Sequence, residues 1–209
     1  MSLGFISALF LITISELGDK TFFIAMILAT RLPRVWVFSG VITALALMTL
    51  ISALLGQVLV WLPQHFIDLA VLLLFWGFAA KLLYQAYGMD PSAACSEWEG
   101  AASTVTGSPA LPLFSWGSLP VRTACQAFGL TFLGEWGDRT QITTIALSSA
   151  YPLWTTVLGA ILGHGICASL AVLSGRWLAY SLSERMLTWI AGGLFLLLGG
   201  WQLWQMMDS

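Results

Sequence analysis

The sequence predicts an all-α integral membrane protein with six transmembrane helices, arranged as two inverted three-helix repeats. Three observations support this fold class: the composition, six long apolar runs and a similarity between the two halves of the chain. Of the 209 residues, 58% are hydrophobic and 9% are charged, whereas a soluble domain usually has about 25% charged residues. Such a chain could not cover its surface in water, which argues against a soluble enzyme or a disordered scaffold.

The apolar runs predict the transmembrane helices. A helix needs about 20 mostly apolar residues to cross about 30 Å of hydrocarbon. Because the runs show no alternation with a period of two, helices are favoured over a β-barrel. The six runs cover residues 3–29, 36–61, 66–87, 122–148, 153–175 and 186–206.

The same runs divide the chain into three regions. We expect residues 1–87 to form the first three-helix repeat and residues 122–209 to form the second. Residues 88–121, which lie between them, contain four prolines together with Ser, Gly and Glu residues. This composition is typical of a polar loop.

The basic residues predict the orientation, because Lys and Arg concentrate on the cytoplasmic side of a membrane. Six basic residues lie near helix ends on the side of the long loop, and none lies near the opposite ends: Arg31, Arg34, Lys81, Arg122, Arg176 and Arg185. We therefore expect a multi-pass protein of the cell inner (plasma) membrane, with both termini outside and the loop in the cytoplasm. Scattered basic residues offer no stripe for nucleic acid. The sequence leaves homo-oligomerisation open.

An internal repeat appears when the chain is shifted by 119 residues. The shift aligns residues 16–21, Glu-Leu-Gly-Asp-Lys-Thr, with residues 135–140, Glu-Trp-Gly-Asp-Arg-Thr, and also pairs Gly40 with Gly159. Because each repeat has an odd number of helices, the second begins on the opposite side of the bilayer. Inverted repeats of this kind are typical of secondary transporters, which bind their substrate near the bilayer midplane.

Each repeat places ionisable residues in the middle of its first apolar run. A single charge near the bilayer centre costs about 2.5–3.5 kcal/mol on insertion scales, so these residues must face one another or water. On a continuous helix, Glu at i, Asp at i+3 and Lys or Arg at i+4 would share one face. Gly at i+2 would allow the helix to bend and expose backbone carbonyls.

The charges of this cluster predict a cation site. The acids Glu16, Asp19, Glu135 and Asp138 contribute four negative charges, and Lys20 and Arg139 contribute two positive ones. The cluster therefore has a net charge of −2, which one divalent cation or two protons would neutralise. Carboxylate and carbonyl oxygens favour hard ions such as Mn2+, Ca2+ or Mg2+. The four acids are therefore the predicted metal ligands of a divalent cation/proton antiporter.

Further residues are candidates for supporting roles. Thr21 and Thr140 are candidate hydroxyl ligands, and Lys20 and Arg139 are expected to tune or gate the site. Gln57 and Gln141 are weaker candidates for neutral oxygens along the pathway. His164 is a weaker candidate for a proton relay.

The duplicated motif Glu-x-Gly-Asp-Lys/Arg-Ser/Thr resembles the signature of a cation/proton exchanger family found in bacteria, the Golgi and chloroplast membranes. Members of that family are associated with Mn2+ and Ca2+ transport. The resemblance implies that the four acids bind the transported cation, and for a short bacterial-type member it implies export of Mn2+ from the cytoplasm. We therefore expect a transporter and not an enzyme, with no permanently bound cofactor and with catalytic residues absent.

Three other functions remain open at this point. A Ca2+/H+ exchanger could use the same residues, because selectivity depends on coordination geometry. An intramembrane enzyme with paired acids would leave Lys20 and Arg139 unexplained. An amino-acid exporter would need a subsite for a carboxylate, which two acidic motifs disfavour. A purely structural pair of salt bridges is disfavoured because two cations cannot neutralise four acids.

Overall fold

The computed structural model describes residues 2–61, 63–89, 96–107, 118–174 and 184–208, and within these ranges the chain forms nine α-helices. Across the same ranges there is no β-strand, which confirms the all-α prediction. The helices are α1 (Ser2–Glu16), α2 (Lys20–Arg31), α3 (Arg34–Leu59), α4 (Gln64–Gly88), α5 (Ser96–Gly107), α6 (Leu119–Gly134), α7 (Arg139–Ala150), α8 (Leu153–Ser174) and α9 (Glu184–Asp208).

Four of the described helices are long and apolar enough to cross a membrane. These are α3, α4, α8 and α9, and α1 is a shorter apolar helix. The four long helices coincide with four of the six predicted runs. Arg176, which contributed to the predicted orientation, lies outside the described residues.

The first and fourth predicted runs are each divided into two helices. Residues 17–19 separate α1 from α2, and residues 135–138 separate α6 from α7. In these breaks the backbone φ angles are +80° at Gly18 and +83° at Gly137, a left-handed conformation that strains any residue with a Cβ atom. The expected bend at Gly is therefore present. The expectation of one continuous helical face for the motif was wrong, because the helix stops between Glu and Asp.

The predicted loop at 88–121 contains a helix, α5. The rings of Trp98 and Phe23 meet edge to face with centroids 5.9 Å apart, and Ala101 and Val105 are buried in the same core as α2. The loop prediction was wrong for this segment. The prolines around it favour a loop, but Trp98, Ala101 and Val105 recur with the spacing of one helix face. Residues 90–95 and 108–117 of the predicted loop lie outside the described residues.

Two helix pairs pack through glycines at matching positions. On α3, a Cβ at Gly40 would collide with the carbonyl oxygen of Ala124 on α6; on α8, a Cβ at Gly159 would collide with that of Phe5 on α1. The shift of 119 residues relates Gly40 to Gly159 and Phe5 to Ala124. The absence of a side chain thus lets a helix from each half lie against the other half. Helices α4 and α9 pack on each other beside this core.

The molecule exposes many large apolar side chains and buries several polar ones. Glu16, Glu135 and His164 are buried, while large apolar residues are exposed along the long helices. Exposed examples include Leu54 on α3, Leu73 on α4, Leu158 on α8 and Leu197 on α9. A surface of this kind is suited to lipid and would be unstable in water.

Candidate metal centre

The two helix breaks bring three acidic side chains together. Glu16 is the last residue of α1, Asp19 directly precedes α2, and Glu135 directly follows α6. Each offers one carboxylate oxygen, and these three oxygens all lie within 4.8 Å of one another. Glu16 and Glu135 are each only 2% exposed. Acids from both halves of the chain therefore converge at one buried point, as the sequence predicted for these three residues.

The local backbone explains how Asp19 reaches the cluster. Its N–H donates to the carbonyl of Glu16 over 3.1 Å, and the turn through Gly18 places it at the N-cap of α2. An N-cap Asp usually bonds the N–H groups of its own helix, but Asp19 makes no such side-chain bond. Its carboxylate instead lies 3.1 Å from Nη2 of Arg139. The helix start also adds a partial positive charge beside the acids.

Two threonines bond the buried glutamates in equivalent ways. The hydroxyl of Thr21 donates to Oε2 of Glu16 over 3.3 Å, and that of Thr140 donates to Oε2 of Glu135 over 3.0 Å. The other oxygen of each glutamate, Oε1, is buried and has no hydrogen-bond donor among the described residues. Buried carboxylate oxygens without donors are costly unless a cation or a proton compensates them.

The fourth predicted ligand, Asp138, does not belong to the three-acid cluster. It is the N-cap of α7 and, like Asp19, makes no side-chain bond to its own helix. Its Oδ2 is buried and has no hydrogen bond within the described ranges. Its role as a ligand stays a prediction.

Arg139 connects the two helix breaks. In addition to Asp19, its Nη2 donates to the carbonyl of Ser15 over 2.9 Å. Arg139 also lines a cavity with Gly18 and with Gln85 and Thr188, which lie near the ends of α4 and α9. The positively charged guanidinium group of Arg139 therefore lies between this cavity and the acidic cluster. Lys20, at the equivalent position, is half-buried, and the gating roles of both residues stay predictions.

Two small cavities flank the glutamates and differ in polarity. The cavity at Glu135 is lined largely by polar side chains: Thr49, Ser52, Thr140, Gln141, Thr144 and His164. The cavity at Glu16 is lined, apart from Thr21, by Phe22, Ala25, Val41, Leu45, Cys167 and Ala168. The two sets correspond largely position by position under the 119-residue shift.

The weaker candidates have separate locations. Gln57 donates to the carbonyl of Ser148 over 2.5 Å and so links α3 to α7. Gln141 lines the cavity at Glu135, and its Oε1 accepts the N–H of Gly137 over 2.7 Å. Nδ1 of His164 lies 3.5 Å from Oε1 of Glu16. Their transport roles stay predictions.

Sequence reasoning missed two residues of α3 that line the cavity at Glu135. Thr49 and Ser52 are buried, although both lie in a run predicted only to span the membrane. Their spacing of three residues within an apolar helix places two hydroxyls on one face, which was the available signal.

Both halves of the chain match one known protein family. Residues 4–90 and 123–209 match the family model described as "Divalent cation/proton antiporter GDT1". The chain belongs to this antiporter family. The GDT1 match covers both copies of the acidic motif, so the resemblance inferred from the motif is confirmed.

Individual relatives agree with the family assignment. The chain is 46% identical to a GDT1-like protein of Synechocystis over 94% of its own length and 95% of that protein. It is 39% identical to GDT1-like protein 3 of Oryza sativa subsp. japonica, over 92% of this chain and 72% of the relative. It is 33% identical to the chloroplastic PAM71-homolog of Arabidopsis thaliana, over 92% and 57% respectively. No solved structure matches the chain.

Proposed function

We propose that this GDT1-family chain exports Mn2+ from the cytoplasm across the inner membrane in exchange for protons. The observation that carries the proposal is the convergence of Glu16, Asp19 and Glu135, from two halves of the chain, within 4.8 Å at a buried point. Three carboxylate oxygens at this separation are suited to one divalent ion with hard oxygen ligands. Asp138 is the fourth proposed ligand.

The proposed topology has six crossings in two inverted repeats, 1–87 and 122–209. Helices α3, α4, α8 and α9 each cross alone, whereas α1 with α2 and α6 with α7 each cross as one broken helix. Two observations support this arrangement. The family match consists of two stretches of equal length, and the glycine contacts of α3 with α6 and of α8 with α1 are equivalent. Broken helices at the midplane are typical substrate sites of transporters.

The proposed exchange follows from charge. The four acids with Lys20 and Arg139 leave two negative charges, which one Mn2+ or two protons neutralise. In the cytoplasm-facing state the ion binds the deprotonated acids; in the outward-facing state protons replace it. Exchange of one ion for two protons is therefore expected to be electroneutral. Because Arg139 already bonds Asp19 over 3.1 Å, it is suited to compensate that acid when the ion leaves.

Ion-competition flux in proteoliposomes tests the proposal. The purified chain is reconstituted with a pH gradient, and Mn2+ uptake is measured with Ca2+ or Mg2+ as competitor. We expect gradient-driven Mn2+ flux that excess Mg2+ barely reduces and that does not respond to membrane potential. Flux of Ca2+ in preference to Mn2+ would replace the ion assignment with a Ca2+/H+ exchanger. Strong dependence on membrane potential would contradict the stoichiometry.

A matched pair of variants makes the test specific to the site. Glu16→Gln removes one charge from the cluster with almost no change of volume, and we expect flux to disappear. Asp68→Asn removes a charge from α4, where Asp68 accepts a hydrogen bond from Gln202 on α9; we expect flux to persist. Retained flux in Glu16→Gln would remove Glu16 from the site.

A further inference from the structure

His164 is a buried side chain that has no role in the proposed antiport scheme. It lies in the middle of α8, is 4% exposed, and places Nδ1 3.5 Å from Oε1 of Glu16. Neither of these two atoms has a hydrogen bond within the described part of the chain. The same imidazole lines the cavity at Glu135. One ring thus touches one glutamate and faces the cavity of the other.

We propose that His164 is a further ligand of the transported cation, binding through Nδ1, and that it makes the site prefer Mn2+ to Ca2+ and Mg2+. This inference rests on the proposed function, because it takes Glu16 as a ligand of the same ion. It assigns selectivity to one residue outside the duplicated acidic motif.

The distance between the two atoms fits a shared ion. Metal–ligand bonds in proteins measure about 2.0–2.5 Å. Two donors 3.5 Å apart at such bond lengths subtend an angle of about 90° to 120° at the ion. This range includes octahedral and tetrahedral angles, so Oε1 of Glu16 and Nδ1 of His164 can bind one ion from their present positions.

The chemistry of imidazole supports discrimination between ions. Ca2+ and Mg2+ bind oxygen ligands almost exclusively, whereas imidazole nitrogen binds first-row transition ions. Carboxylates combined with His from facing helices form the di-iron and di-manganese sites of helix bundles. A set of carboxylates with one imidazole therefore favours Mn2+ over the two alkaline-earth ions.

The repeat indicates that His164 is more than a space-filling residue. The 119-residue shift places Leu45 at the equivalent position of the first half, and Leu45 lines both cavities. A leucine therefore fits the equivalent place in the packing of α3. Replacing His164 by Leu copies the other repeat and removes the nitrogen.

The test compares His164→Leu and His164→Gln with wild type and with His65→Gln, which changes the chain's other histidine, an exposed residue at the start of α4. Fluxes of Mn2+ and Ca2+ are measured separately in proteoliposomes. We expect the ratio of Mn2+ to Ca2+ flux to fall about tenfold or more in both His164 variants, and to stay unchanged in His65→Gln. An unchanged ratio in the His164 variants would overturn the proposal.

A spectroscopic measurement makes the test independent of transport and of variant folding. Electron spin echo envelope modulation of Mn2+ bound to the wild-type chain should show coupling to an imidazole nitrogen, retained in His65→Gln. Bound Mn2+ without nitrogen coupling would overturn the His164 assignment. Glu16→Gln separates this failure from that of the proposed function: if it transports normally the antiport site is wrong, and if only the His164 tests fail the selectivity inference alone is wrong.

Discussion

Glu16 and Glu135 are equivalent residues of the two copies of the motif, but the cavities beside them have different linings. Around Glu135, Gln141, Thr144 and Thr49 supply polar groups; at the equivalent positions around Glu16 stand Phe22, Ala25 and Ala168. A polar cavity can hold water or stabilise an ion, whereas an apolar one excludes water. The two copies of the motif thus share their acids and threonines, while the neutral residues around Glu135 carry more polar groups than those around Glu16.

The largest expected effect tests whether the two halves share one ion. We expect Glu135→Gln and Glu16→Gln each to reduce Mn2+ flux more than about 100-fold, because each removes a proposed ligand and a charge from the same cluster. Flux in proteoliposomes measures it. If only the Glu135 variant lost activity, the ion would bind at the cavity of Glu135 alone. Glu16 would then not be a ligand.

The next effect concerns the packing that joins the halves. We expect Gly40→Ala and Gly159→Ala each to lower the free energy of unfolding by about 1–3 kcal/mol, because the added methyl group meets a backbone carbonyl that cannot rotate away. Thermal unfolding in detergent measures it. Gly200→Ala is the matched control, since a Cβ there contacts nothing within 4 Å. Equal stability in all three variants would contradict the close helix contact.

A smaller effect distinguishes the two helix breaks. Alanine at Gly18 or Gly137 must adopt a positive φ, which costs about 1–2 kcal/mol. At Gly18 the new Cβ would also lie 2.6 Å from Cδ1 of Leu187, whereas at Gly137 it would contact nothing within 4 Å. We therefore expect Gly18→Ala to lower the unfolding temperature more than Gly137→Ala. The reverse order would contradict the close contact between Gly18 and Leu187.

The smallest effect makes the polar cavity more like the apolar one. Thr49 lines the cavity at Glu135 and its hydroxyl is buried without a hydrogen bond among the described residues. We expect Thr49→Ala, which copies Ala168, to reduce Mn2+ flux a few-fold at most while stability changes little. A matching change, Ala168→Thr, is expected to leave flux nearly unaltered. A larger loss for Ala168→Thr would assign the ion pathway to the apolar cavity.

Much of the site could be predicted because charge in an apolar run requires an explanation. Glu16, Asp19 and Glu135 stand out in the sequence for this reason, and the structure brings them together. The helix breaks were harder to predict from the sequence. Gly is nevertheless common directly after a helix, and Asp is common at the N-cap of the next one. The position of Asp138 outside the three-acid cluster and the role of α5 depend on tertiary packing, which no local pattern encodes.

Helix α5 connects the segment between the two halves of the chain to the helix that follows Asp19. It rests on α2 through Trp98 and Phe23, and α2 begins directly after Asp19. Any tilt of α2 during the transport cycle must therefore shift α5 or separate these rings. Glu99 lies on the exposed side of α5, so a fluorescent probe attached there would report such a movement without disturbing the acids.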